Sequence, residues 1–232
     1  MKTIVQKNRI FLLFLVLLSV FLNGQEIVTA ERYLASVSEV YSHIRDYEAS
    51  IAIVSGSTNM NGNVSYLSPS FLRIDFSRPV DQVIVFNGEL LTIYLPEFRA
   101  VMNQTINQSR RSSASGASIA SAQGLTLLQR NYVPAFVTGP EPVPLDPNSR
   151  EMVVKLRLTR RVVSEGFREI ILSISSDTKL IRRIEGRTIA DSNVRFDFSN
   201  IRTNVGIPEM RFIYDSPASA NLFNNFLFRD TD

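Results

Sequence analysis

Residues 81–102, DQVIVFNGELLTIYLPEFRAVM, set two apolar runs on either side of Asn87-Gly88. Runs this short, rich in Val, Ile, Leu, Phe and Tyr and split by a tight-turn pair, predict an antiparallel hairpin with a type I′ turn. The stretch holds no pair of acids, no metal-ligand spacing and no nucleophile beside a base. Apolar strands without reactive groups need cover, and the chain on either side says what covers them.

Upstream, ASIAIVSG (49–56), NVSYLS (63–68) and SFLRIDFS (70–77) alternate with period two; downstream, FRAVMNQ (98–104) does the same. Asn61-Gly62 predicts a further two-residue turn. The pattern resumes with EMVVKLRLT (151–159), FREIILSIS (167–175), LIRRIEGRT (180–188), NVRFDFSN (193–200) and MRFIYD (210–215). The sum is about eleven strands, nearly all antiparallel because the connections are short. Leu72, Ile74 and Phe76 share one strand face while Arg73 and Asp75 share the other, and Phe196 and Phe198 oppose Arg195 and Asp197 in the same way. One face is wet and the other greasy. The fold class is therefore mainly β with some helix, a single sheet curved around a few helices.

Two helical segments are predicted. Residues 26–47 place Ile27, Leu34, Val37, Val40, Tyr41 and Ile44 at three- and four-residue spacings, an amphipathic helix with one stripe to bury. Between the two sets of strands, 109–149 reads as an excursion over the sheet. A solvated SRRSSASGAS comes first, then a weak helix presenting Ile119, Leu125, Leu128 and Tyr132, then a proline-rich extended run.

Lys2, Lys7 and Arg9 precede an apolar run, Ile10 to Leu22, that is too short to span a bilayer. Residues 1–24 are expected to be a cleaved secretory signal, with cleavage after Gly24 or after Ala30, leaving 25–232 as a single exported domain. Removing three cations and no anions cancels the net charge of +3, so the footprint of a nucleic-acid binder is missing. Arg110-Arg111, Arg160-Arg161 and Arg182-Arg183 read as solvated loop and strand residues. There is no cysteine, so disulfides, thiolate metal sites and thiol chemistry are all excluded.

His43 is the only histidine, which rules out histidine-rich metal sites; on its helix it reads as a surface residue, so a Ser-His-Asp triad is not expected. The glycines form neither dinucleotide nor P-loop patterns. No catalytic residues, metal ligands or cofactors are expected. A hydrolase using an unrecognised carboxylate site has no nucleophile, base and orienter to name.

The chain resembles the LolA family of periplasmic lipoprotein carriers. PSFLRIDF carries Pro69, Leu72, Arg73, Ile74 and Asp75 in the family's order. The hairpin follows with Gln82, Asn87-Gly88, Tyr94, Pro96 and Val101, and the C-terminal part supplies Phe196, Phe198, Asn200, Asn204, Pro208, Phe212 and Pro217. The resemblance implies a half-open antiparallel barrel of about eleven strands covered by an N-terminal helix and short lid helices. It also implies a monomer that binds acylated lipoproteins, takes them from an inner-membrane ATP-driven (ABC-type) release complex and hands them to an outer-membrane acceptor. On that reading Leu72, Ile74, Phe76, Leu91 and Ile93 line an acyl-chain hollow, with Ile119, Leu125 and Leu128 in the cover. One acyl chain leaving a membrane unaided faces roughly 10 kcal/mol, so a carrier must offer comparable apolar surface and give it up again. Two positions depart from the family. Ser68 stands where an arginine helps hold the lid shut, and Thr92 stands where a tryptophan is common, which would widen the hollow or change its shape. The alternative use of the same fold is a lipid or lipoprotein sensor in the cell envelope.

Overall fold

The structure, a computed structural model, describes residues 28–106, 119–163 and 165–226. The expected signal at 1–24 and the solvated run at 109–118 lie outside the described residues. Helix α1 (Ala30–Ser42) leads into strands β1 (Asp46–Ser55), β2 (Thr58–Leu67), β3 (Phe71–Arg78), β4 (Val83–Phe86), β5 (Leu90–Leu95) and β6 (Ala100–Thr105). Helix α2 (Ala122–Asn131) runs directly into β7 (Tyr132–Phe136), followed by β8 (Val143–Pro144), β9 (Met152–Arg160), β10 (Phe167–Ser175), β11 (Ile181–Thr188), β12 (Asn193–Thr203) and β13 (Asn221–Asn224). They form one thirteen-stranded sheet in the order β13-β6-β5-β4-β3-β2-β1-β12-β11-β10-β9-β7, with β8 added to β9. Every pairing is antiparallel except β13 alongside β6, and the end strands do not meet. The mainly-β, open-sheet expectation holds.

The count differs from eleven for local reasons. Strands β7, β8 and β13 are absent from the sequence-based expectation: Pro134 and Pro144 interrupt the first two, and Asn221-Leu222-Phe223-Asn224 is too short to show a period. The strand expected at 210–215 is instead a 3-10 turn, Glu209–Phe212, that begins after Pro208 and drives the Phe212 ring into the sheet. Asn61-Gly62 is not a turn either. It lies within β2, where the register against β3 shifts, and a side chain at Gly62 would collide with the Asp75 backbone. The actual β1–β2 turn is Gly56-Ser57, with Gly56 at φ +57°. The β4–β5 hairpin forms as expected, but with another turn geometry. Asn87 is not left-handed; its side chain accepts the Glu89 and Leu90 N–H groups, and Gly88 at φ +95° takes the first central position, as in a type II′ turn.

Helix α1 is shorter than the 26–47 expectation. Thr29 caps its start by accepting the Arg32 N–H at 3.2 Å, and the chain has already turned into β1 by Asp46. Its stripe, Leu34, Val37 and Tyr41, enters the concave face of the sheet together with Leu125 and Leu128 of α2. Both helices, Ile170, Leu172 and Ile174 of β10 and the inner residues of β1–β3 make one continuous core.

Arg182 and Arg183 are not solvated. Arg182 pairs with Glu151 at 2.6 Å, and Arg183 bridges Asp146 and Asp197, tying the proline-rich run onto β11 and β12. That guanidinium holds the Asp146 carboxyl below its ordinary value.

The core is unusually rich in tyrosine. Burial pushes Tyr33 and Tyr132 up to about 12, and raises Tyr41, Tyr47 and Tyr66 as well. Phenols that the fold keeps neutral stabilise it fully below their ordinary value of 10.0, and that contribution is lost as pH rises through the folded values. The chain should therefore stay folded to pH 10 and unfold cooperatively towards about pH 12. Tyrosinate absorbance and far-ultraviolet circular dichroism should change together; gradual ionisation with no loss of structure would contradict the buried placement.

Candidate functional site

The register across β2–β6 decides which side chains share the concave face. Ile74 lies beside Ile84, Ile84 beside Ile93, Ile93 beside Met102, and Met102 beside Phe223 of the edge strand. A second row runs Leu72, Phe86, Leu91, Gln104. Exposure increases along the first row: Ile74 is 2% exposed beneath the helices, Ile84, Ile93 and Met102 are half-buried, and Phe223 is 52% exposed. The sheet thus continues its apolar inner surface beyond the place where α1 and α2 stop covering it.

The sequence-predicted site residues fall into two groups along this gradient. Leu72, Ile74, Phe76, Ile119, Leu125 and Leu128 pack into the central core. Leu91 and Ile93 lie outside that core cluster, on the half-covered part of the face. A small apolar void near the helices, between Tyr41, Ile44, Tyr47, Ala120 and Phe198, is about 10 Å³, room for about one water. A larger cavity of about 340 Å³ lies between β1, β2, β12 and the 3-10 turn, but Glu48, Ser50, Asn63, Asn200, Arg202 and Arg211 make it polar. The sequence reading missed Ile84, Phe86, Met102 and Phe223. The alternation of β4 and β6 was the available signal for the first three; Phe223 had none.

Ser68 does not reach across to the cover as an arginine would, but its neighbour does. The buried Tyr66 hydroxyl donates to the Pro69 carbonyl at 3.0 Å, and the Ser68 and Ser121 side chains beside it partly offset the rise that burial imposes on the phenol. Ser121 is the N-cap of α2, accepting the Gly124 N–H at 3.0 Å. One phenol thus links the β2–β3 corner to the start of the covering helix. Thr92 proves irrelevant to the hollow. It pairs with Val85 and bonds Asn103 at 2.9 Å on the convex face, so its small size leaves the concave side unchanged.

Arg73, expected to be an exposed motif residue, is largely buried in the convex face. It grips Asp75 through two nitrogens, donates to the Arg211 and Ile213 carbonyls at 3.1 and 3.3 Å, and lies 5.8 Å from the centre of the Tyr214 ring. Arg211 returns to Asp75 from the other side. The arginine clamps the C-terminal segment to the back of the hairpin.

His43 is exposed at the end of α1, where Nδ1 meets the Glu39 carbonyl at 2.8 Å. Among the described residues no three His, Asp or Glu side chains gather as metal ligands, and no helix is long and apolar enough to cross a membrane. The site is thus an open antiparallel sheet wrapped around two helices, with its apolar inner face running out past them.

The chain is 24% identical over 190 residues to the outer-membrane lipoprotein carrier protein of Bordetella avium (strain 197N), covering 81% of this chain and 83% of that one. A crystal structure of an uncharacterized conserved protein from Thermus thermophilus superposes with a TM-score of 0.54 at 13% identity, over 84% of this chain and 98% of that one. MucB superposes with a TM-score of 0.50 at 13% identity, over 84% of this chain and 65% of that one. No family model matches. The resemblance to the lipoprotein carriers read from PSFLRIDF and the hairpin is borne out by the Bordetella protein, and the structural matches bear out the fold.

Proposed function

We propose that this chain is a periplasmic carrier that holds the acyl chains of lipoproteins against its concave face and moves them from the inner to the outer membrane. The observation that carries this reading is the apolar row from Ile74 to Phe223, which begins in the core and ends in the open. The similarity to the Bordetella carrier supports it. In the closed form the space beneath the helices is filled, so loading requires α2 to lift and bare Leu72 and Ile74 beside the half-covered Leu91 and Ile93. The Tyr66–Ser121 link and side-chain packing hold the start of α2, so the cover opens without breaking strands. Cargo would arrive from an ATP-driven release complex and leave to an outer-membrane acceptor, with no bond made or broken in the chain's own site.

The test is to isolate the protein from a cell-envelope fraction, analyse what remains bound by mass spectrometry, then add acceptor vesicles. Acylated lipoprotein should be found bound in about equimolar amount and should pass to the vesicles. A ligand-free protein, or one that keeps its lipoprotein while changing affinity for a membrane signalling protein, would replace the carrier with a sensor. Turnover of acyl esters would replace it with an enzyme.

A further inference from the structure

Because neighbouring strands alternate in direction, the loops β1–β2, β3–β4, β5–β6, β9–β10 and β11–β12 all lie at one end of the sheet. Four of these five carry large apolar side chains in the open: Val80 in β3–β4, Phe98 in β5–β6, Val162 and Val163 in β9–β10, and Ile189 in β11–β12. Phe98 is 68% exposed and Val163 is 79% exposed. The turns at the opposite end are Ser68-Pro69-Ser70, Asn87-Gly88-Glu89 and residues 176–180, whose one large apolar side chain, Leu180, packs on the core. The hairpin turns of the two ends therefore differ in composition; the exposed Met152 and Val205 of the opposite end lie outside its turns, where β9 begins and after β12.

Arginines stand beside each apolar tip. Arg78 precedes Val80, Arg99 follows Phe98, Arg160 and Arg161 precede Val162, and Arg187 and Arg168 lie beside Ile189. Arg160 donates to the Val163 carbonyl at 3.1 Å and Arg168 to the Ile189 carbonyl at 2.7 Å, so these side chains are held at the tips. Arg78 and Arg99 make no ion pair among the described residues and are exposed. Asp81, Glu97, Glu165 and Asp191 stand among these six arginines of the loops and flanking strand ends, an excess of two cations, and Asp191 pairs with both Arg187 and Arg168.

We infer that this rim docks the protein on an anionic phospholipid surface, with the apolar tips entering the headgroup region and the arginines meeting phosphates. The spacing favours a bilayer over a protein partner. A protein interface is built on a contiguous buried centre with anchors in pockets, whereas these side chains are dispersed one loop at a time along an arc. A fluid interface accepts isolated apolar tips and rewards each nearby cation. The inference concerns a different surface from the acyl row and holds whether or not the chain carries lipoprotein.

The probe is vesicles of phosphatidylcholine with about 30% phosphatidylglycerol, free of lipoprotein, in a sedimentation assay beside pure phosphatidylcholine. The protein should pellet with the anionic vesicles only, and release as ionic strength is raised to about 0.5 M. Replacing Arg78 and Arg99 together by Ser, or Phe98 and Val163 together by Ser, should weaken partition roughly tenfold or more, since one arginine at such a surface is worth about fivefold. All four positions are exposed, and circular dichroism should show the fold intact. The variant Ile93→Arg, on the concave face, should bind vesicles as the parent does. Failure of the parent to bind anionic vesicles overturns the inference, as does binding unaffected by both rim variants or lost only in Ile93→Arg. Rim variants that lose a protein partner while the parent ignores vesicles would assign the rim to protein recognition instead.

Discussion

Replacing Ile74 by Arg should abolish folding, while Ile93→Arg, two strands along the same row, should fold and lose acyl binding. Ile74 is buried at 2% exposure among Val64, Ile84 and the helices, so a guanidinium there is an unpaired charge inside the core. Burying such a charge costs several kcal/mol, and a domain of this kind has about 5–15 kcal/mol to lose. At Ile93 the same substitution meets a half-open surface where a long side chain reaches water with its charged end. It should cost little in stability but place a charge in the path of an acyl chain. Thermal unfolding separates the first outcome, and binding of a lipopeptide with a fluorescent acyl chain separates the second. If Ile74→Arg folds, the interior is not closed as described; if Ile93→Arg still binds acyl chains with parental affinity, the row is not the site.

This contrast also marks how far the sequence was legible. Alternation at Leu72-Arg73-Ile74-Asp75-Phe76 correctly divides the two faces, because the period of a strand is fixed by its backbone. Nothing in that alternation says how deep a face lies. Ile74 and Ile93 are the same residue type on the same face of the sheet, yet one is under two helices and the other is beyond them. That distinction depends on where α1 and α2 end in space, which their own periodicity does not give. The same limit explains Arg73. Its type and outward position suggest solvent, and only the return of residues 208–214 across the back of β3 buries it. Contacts between segments more than a hundred residues apart leave no local pattern. The turn at Asn204 and Gly206, both at positive φ, is likewise absent from the sequence-based expectation. Asn204 accepts the Arg45 N–H at 2.8 Å, and the Asp46 carboxylate accepts the Val205 and Gly206 N–H groups, aiming the chain from the end of β12 onto the convex face.

The apolar character of both faces of the 81–102 hairpin follows from that return, and it predicts the second large effect. Ile84, Ile93 and Met102 serve the concave row, while Val83, Val85 and Tyr94 point the other way into a small separate core closed by Ile207 and Phe212. Phe212 is 1% exposed and packs on Phe71 with ring centres 5.4 Å apart. Phe212→Ala should destabilise the protein by about 3–5 kcal/mol, the usual cost of emptying a buried phenyl site. The loss should extend beyond the cavity. Without the ring, the Arg211 and Ile213 carbonyls leave Arg73, and the back of β4 and β5 opens to water. Hydrogen exchange should therefore quicken in β4, β5 and 204–214 far more than in β9–β11, whose core lies on the other side of the sheet. Acyl binding, measured at a temperature where the variant remains folded, should persist, because the concave row keeps its residues. Uniform exchange across the whole sheet would mean that the two cores are one cooperative unit, and parental stability would mean that Phe212 does not hold the segment down.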